Sequence, residues 1–510
     1  MIDPKNRRQF LKSAAVGGVA WSAADWAFLG TLPRVSAAET GSIAERVQFT
    51  PDIEPLVRLI EDTPREQVLE RLASAIRKGT PYREVLAALQ LAGIRNVQPR
   101  PSVGFKFHSV LVVNSCHLAS VAGPETERWL PIFWAVDYVK STQAEEASKT
   151  GWKMKPVNEA KVPHGPDAAQ LFTDAMDRWD VEQADVATAG IVRSLSKDQV
   201  FELFARYAAR DFRSIGHKAI FLANAWRTLE VIGYDNAEPV LRSLAFAMLS
   251  HGDEPNPATS DLAADRPWRD NAELAKKLTA GGTNGREDVR AATDLISSFR
   301  VDNAQDAAQA AVDILRAGTR VTSVWDGVFV GAGELLMRQP GIVGLHGLTT
   351  ANAVHYLWSH VKDETLRQRL LLQACSFNAL FRDAARGRGQ LAKLSINDVA
   401  PLGGVSGGPF TLDEIFADVS SDKLRASRKL HDYLKAGGDP KAALDAARRL
   451  VFQKGRDAHD YKYSSAVLED FANVTPGMRN QFLALSVFYL KGTGDRDSGL
   501  IGRTRAALEA

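Results

Sequence analysis

The chain has 510 residues, with 63 Lys and Arg against 61 Asp and Glu for a formal net charge of +2. Balanced charge without a basic stripe excludes a nucleic-acid footprint. Two cysteines and no Cys-x-x-Cys-His exclude a disulfide-stapled scaffold and a covalent c-type haem.

The N-terminus reads Asn6-Arg7-Arg8-Gln9-Phe10-Leu11-Lys12, the pattern of a twin-arginine export signal, with Asn6 where Ser or Thr is usual. A weakly apolar stretch follows from Ser13 to Leu32, interrupted by Asp25 and too poor in large aliphatics to span a bilayer. Val35-Ser36-Ala37-Ala38 then offers a small-residue cleavage site. This route carries proteins that fold before crossing, often around a cofactor, so the expected location is periplasmic or extracellular and the first expected partner is the twin-arginine machinery. The segment holds Lys5, Arg7, Arg8, Lys12 and Arg34 against Asp3 and Asp25, and cleavage takes the net charge from +2 to about −1. No later stretch is long and apolar enough for stable membrane insertion.

The remaining residues, about 470, read as helix almost throughout, because apolar positions recur at spacings of three and four. The expected fold is all-α, one large bundle-like assembly with long polar loops. Residues 1–38 are the signal, 39–97 an N-terminal helical segment, 98–475 the main helical domain and 476–510 a helical tail. Thr63-Pro64-Arg65-Glu66, Ser196-x-x-Gln199 and Thr411-x-x-Glu414 each carry a capping-box pattern and predict helix starts. Polar, turn-rich stretches predict long connections at 141–167, 252–270 and 386–409. Cys116 and Cys375 sit in apolar helical patterns and read as buried free thiols.

Four histidines stand near the starts of helices rich in small residues: His108, His217, His346 and His459. At about 100° per residue, His117 points away from His108, His355 away from His346, and His360 away from His355. No pair on one helix can therefore share a centre, and a histidine site must take one residue from each of several helices. The neighbouring faces suit a pocket: Ile220, Asn224 and Thr228 beside His217, Thr349, Thr350 and Ala353 beside His346, Ser115 beside His108, and Lys462 beside His459. A histidine on an apolar face is by itself an ordinary core residue. Four faces with small polar companions point instead to a site for a small molecule. Neutral imidazoles would bind iron, copper or zinc, or serve as base and anion stabiliser for a phenolic substrate. Glu334, on an apolar helix shortly before His346, is the best carboxylate companion, though a salt-bridged structural role fits it better. Trp129, Trp134, Trp226, Trp325 and Trp358 lie near these helices and suit either an aromatic substrate or core packing. No Rossmann fingerprint or nucleophile elbow is present, and Gly403-Gly404-Val405-Ser406-Gly407-Gly408 reads as a flexible cover.

The same segments resemble the questin oxidase-like family. The likeness rests on Phe107-His108, on Gly216-His217-Lys218-Ala219-Ile220 running into Asn224-Ala225-Trp226, on His346-Gly347-Leu348-Thr349-Thr350-Ala351-Asn352, and on His459-Asp460-Tyr461-Lys462. It covers roughly residues 98–471 and implies an all-α oxidoreductase of aromatic or quinone-type molecules, with Baeyer–Villiger-like ring opening as the family chemistry. It implies site roles for His108, His217, His346, His459 and Lys462. From the residue types themselves, the expected cofactor is iron or copper on the four histidines, with Asn224 and Thr350 beside it. An export signal and the want of NADPH outside the cytoplasm both depart from the family pattern. The rival expectation is a non-catalytic helical scaffold or small-ligand-binding protein.

Overall fold

Helices that are amphipathic in sequence lie outside, and helices apolar on every side lie inside, as burial of apolar area requires. Glu54–Asp62 buries one stripe through Val57, Ile60 and Glu61, and Arg266–Ala275 one through Pro267, Trp268, Asn271 and Leu274. In Ile342–His360, by contrast, every residue from Val343 to Val354 is buried, and His217–Ile232 is buried continuously from His217 to Trp226. The structure, a computed structural model, describes residues 47–99, 105–249, 254–278, 285–399 and 410–509, with the backbone alone at 105–107. Among them are twenty-two α-helices and no strand, an all-α fold. The export signal, the Phe107 side chain and the whole Gly403–Gly408 stretch lie outside what is described. Val47–Ala510 forms one compact unit, in which Leu500–Glu509 packs back on Val68–Arg77 and Leu130–Lys149.

Four central helices position the histidines: Phe105–Ala122, His217–Ile232, Ile342–His360 and Ala458–Asn473. Each packs on two of the others to close a ring. All four run the same way. His108 meets His217 and Asn114 meets Asn224 (3.0 and 3.1 Å). His346 lies against His459, and Asn352 reaches Glu469 and Asp470 (2.7 and 2.9 Å). His108 also lies against His459, and Ser465 donates to the Ser115 carbonyl (2.9 Å). Partner numbers rise together in every pair, so the four N-termini share one end of the bundle. Neighbours joined by short loops would run antiparallel, so the intervening helices act as return paths. Val321–Arg338 is one, folded against Ile342–His360 so closely that a Cβ at Gly344 would come 2.8 Å from the Leu336 Cα.

Both capping boxes at Ser196 and Thr411 form as expected. The one expected at Thr63 does not: Thr63 ends the preceding helix with ψ at 131°, and the next helix starts at Val68 after Gln67. Proline suits the first turn of a helix and also the chain just beyond one, and Pro64 does the latter. The connection expected from 141 is also shorter. Helix Leu130–Lys149 runs through it, because Ala144, Glu145, Glu146 and Ala147 are strong helix formers despite their polarity. The stretch expected at 252–270 likewise gives way to helix at Arg266. Cys116 and Cys375 are buried free thiols.

Candidate metal centre

The four histidines meet at the shared N-terminal end of the central helices. Their rings form a closed circuit, with centroids 5.1 Å apart for His108 and His217, 4.6 Å for His217 and His346, 5.2 Å for His346 and His459, and 4.6 Å for His459 and His108. The edge nitrogens converge further. His217 Nε2 lies 3.0 Å from His108 Nε2 and 3.2 Å from His346 Nε2. His108, His346 and His459 each present a ligand nitrogen within 4.8 Å of the others. Nitrogens bound to one ion at about 2.0–2.1 Å lie about 3–4 Å apart; the two contacts of His217 match that spacing, while the mutually close set is His108, His346 and His459 without His217.

Backbone acceptors settle two of the tautomers. His217 Nδ1 is 2.7 Å from the Ser214 carbonyl, and His346 Nδ1 is 2.7 Å from the Ile342 carbonyl. A carbonyl only accepts, so both Nδ1 atoms carry the proton and both Nε2 atoms present lone pairs. His108 Nε2–H can donate to one of them. The 3.2 Å contact between His217 and His346 then sets lone pair beside lone pair in a buried place. Burial, first of all, pushes the pKa of all three imidazoles well below 6.5, and Lys462 together with the neighbouring histidines adds to it. The rings are neutral, as metal ligands must be. His459 completes the set: its Nδ1 stands 3.4 Å from Asp457 Oδ1, while its Nε2 is buried with no hydrogen-bond partner among the described residues. A carboxylate behind a ligand imidazole fixes its ring and raises its basicity.

Local structure explains the aim of each ring. His217 opens its helix after Ile215 and Gly216, both in the left-handed region (φ 44° and 82°). That conformation is costly for a β-branched residue and is a form of strain concentrated at functional sites. The turn is held at both ends. Phe212 N–H donates to the Ala264 carbonyl, Arg213 pairs with Asp265, and buried Lys218 pairs with Asp211 (2.9, 2.5 and 2.6 Å). Thr350 Oγ1 donates to the Ile215 carbonyl at 3.4 Å and does not line the space beside the histidines. Asp457 caps the last helix by accepting from the backbone N–H groups of His459 and Asp460, and so does double duty.

Below the histidines runs a crevice of about 10 Å³, lined by Lys462, Asn114, Ser115, Asn224, Thr349 and Ser465 among others. Lys462 Nζ and Asn114 Oδ1 have no hydrogen-bond partner among the described residues, although both residues are buried. Burial pushes the Lys462 ammonium down to about 7, against an upward pull from Asp457. At the outer end Arg227 pairs with Glu469 (2.7 Å). Leu118, Ser465 and Glu469 also line a neighbouring cavity of about 200 Å³ walled by Val451, Phe452 and Leu468.

His108, His217, His346 and His459 thus come together, with Lys462 and Asn224 on the adjoining crevice, while Thr350 braces the turn before His217. Glu334 is elsewhere, bound to Arg300 (2.6 and 2.7 Å) and to the Ile396 N–H. The tryptophans pack in the core: Trp134 on Tyr138 and Tyr461, Trp226 on Phe201, and Trp325 on His355 and Trp358. Asp457, the Ser214 carbonyl and Asn114 were not singled out from sequence. Asp457 did have a signal, since Asp457-Ala458-His459-Asp460 is a helix start in which an acidic cap sits two residues before the ligand. No protein-family model matches the chain, and no curated protein or solved structure is detectably similar to it.

Proposed function

We propose that this chain is an exported, metal-dependent oxidoreductase acting on a small aromatic or quinone-type molecule, with iron or copper held by His108, His217, His346 and His459. The observation that carries the reading is the convergence of imidazole edges from four helices, with His217 Nε2 3.0 Å from His108 Nε2 and 3.2 Å from His346 Nε2. Burial lowers the pKa of three of these imidazoles, which favours the neutral form that binds a metal cation. Four imidazoles without a ligating carboxylate suit copper, iron or zinc and disfavour magnesium, calcium or manganese. When bound, such a metal supplies Lewis acidity and, for iron or copper, electron transfer. The chain's own residues do the rest: Asp457 orients His459, and Lys462 Nζ holds or releases a proton near neutrality. The apolar cavity beside Leu118, Val451 and Phe452 is large enough for part of an aromatic ring system.

The resemblance to questin oxidase-like proteins supports the same reaction class, and the twin-arginine pattern supports a periplasmic site of action. The test is oxygen consumption by the metal-loaded full chain with a panel of phenols and quinones. Turnover that falls more than 100-fold in Lys462→Met is expected, given a proton-transfer role. A fully loaded protein that neither consumes oxygen nor binds any of the panel contradicts the reading.

A further inference from the structure

The ammonium of Lys462 is 2% exposed as a residue, lines the crevice and lacks any hydrogen-bond acceptor among the described residues. Buried charges without partners are costly, by several kcal/mol at the upper end, so such a group is retained for something it binds. The charges facing it can be counted helix by helix. The His108 helix presents Asn114 and Ser115, and the His346 helix presents Thr349 and Asn352, all uncharged. The His217 helix presents Arg227 and the His459 helix presents Glu469, and these two neutralise each other at 2.7 Å. Asp470 is held by Asn352 and Asn473, with burial pushing its carboxyl toward the neutral form. Asp457 acts on Lys462 only from a distance, being engaged with the helix cap and His459. The crevice therefore carries one positive charge with no facing counter-charge. The N-termini of four parallel helices lie at its upper end and add to the positive field.

Size selects the ligand. Room of about 10 Å³ accepts about one water-sized body. An aromatic ring does not enter, and the larger cavity beyond Leu118 and Ser465 is where a ring fits. The polar lining also offers an amide donor from Asn224 and a hydroxyl donor from Ser115.

We infer that the crevice at Lys462 is a binding site for a small monoanion of one or two heavy atoms, such as a halide, hydroxide or hydroperoxide, seated between the histidine cluster and the organic-substrate cavity. The site depends on Lys462 and exists without a metal on the histidines, so it can be tested independently of the reaction proposed above. Bromide is the probe. Thermal melting of the chelator-treated full chain is followed against bromide at constant ionic strength, with a bulky organic anion as replacement. Wild type should be stabilised saturably, and in Lys462→Met the apparent bromide affinity should fall at least 10-fold. A crystal soaked in bromide should show its anomalous peak beside Lys462 Nζ. The same bromide response in Lys462→Met, or a peak elsewhere, overturns the site. Lysine-dependent binding of 4-nitrophenolate without bromide binding also overturns it, because the crevice would then hold the organic substrate's own oxyanion. A metal-free protein that passes this test and never binds iron or copper would leave the anion site standing and remove the metalloenzyme.

Discussion

At the residue scale the decisive facts are tautomers. Helix geometry brings four imidazoles together, but the Ser214 and Ile342 carbonyls decide that His217 and His346 offer Nε2 lone pairs. Asp457 performs the equivalent task for His459 and also caps its helix. Asp457→Asn separates the two jobs, because asparagine caps as well as aspartate but cannot act as an anion. Its metal affinity should fall about 10–100-fold with melting temperature nearly unchanged, as competition with a chelator will measure. Lys462 makes a second prediction. Burial lowers its folded-state pKa to about 7 from 10.5, so between those values the unfolded chain holds a proton that the folded chain does not. Stability therefore rises with pH through that window. In denaturant titrations of metal-free protein, Lys462→Met should be more stable than wild type by about 5 kcal/mol at pH 6, the gap closing toward pH 10. A constant gap would place the ammonium in contact with water or an unseen acid.

At the element scale the His217 turn carries the most strain for its length. Gly216 has φ 82°, and a Cβ there would press into the hydroxyl and methyl of Thr350. Gly437 has a similar φ of 90° but open space around it, which makes it the control. Gly437→Ala should cost about 1–2 kcal/mol, the backbone term alone. Gly216→Ala should cost more, and should also reduce metal affinity, because relieving the collision moves His217. Equal effects in the two variants, by urea unfolding and metal titration, would show that the turn does not position the ligand.

Much at this scale was legible in sequence. His217 and His459 open helices and His346 and His108 lie within the first turn or two, so small-residue patterns near a histidine were enough to choose them. Ser196 and Thr411 announced their helices by reciprocal side-chain bonds that are local and need no tertiary help. Thr63-Pro64 misled because proline is compatible with either side of a helix boundary. The parallel order of the four helices could not be read, since it depends on which intervening helices return the chain. Thr350 shared a face with His346 by periodicity, yet the turn before His217 approaches from that side and its Ile215 carbonyl accepts from the Thr350 hydroxyl.

At the scale of the whole molecule, three buried neutral histidines make folding and pH inseparable. Their folded-state pKa values lie well below 6.5, so on unfolding in acid each takes up a proton. The histidine contribution to the stability of the metal-free chain should be fully present above about pH 6.5 and lost as the pH falls, by up to about 4 kcal/mol per pH unit for three protons. Each histidine replaced by alanine should lower that slope by about 1.4 kcal/mol per unit, whatever it does to stability at pH 7. Metal binding should steepen the acid loss further, since protons then compete with the metal for the same nitrogens. An unchanged slope in a double variant of His217 and His346 would mean that those rings are already protonated in the folded state.

The central claim is that the four imidazoles hold one metal. It is met most directly by metal analysis of the full chain purified without chelators, beside the His217→Ala and His346→Ala variants. About one iron or copper per chain in the wild type, and little in either folded variant, is the predicted result. A wild-type protein that is metal-free as isolated, and that takes up neither metal on titration, would contradict it.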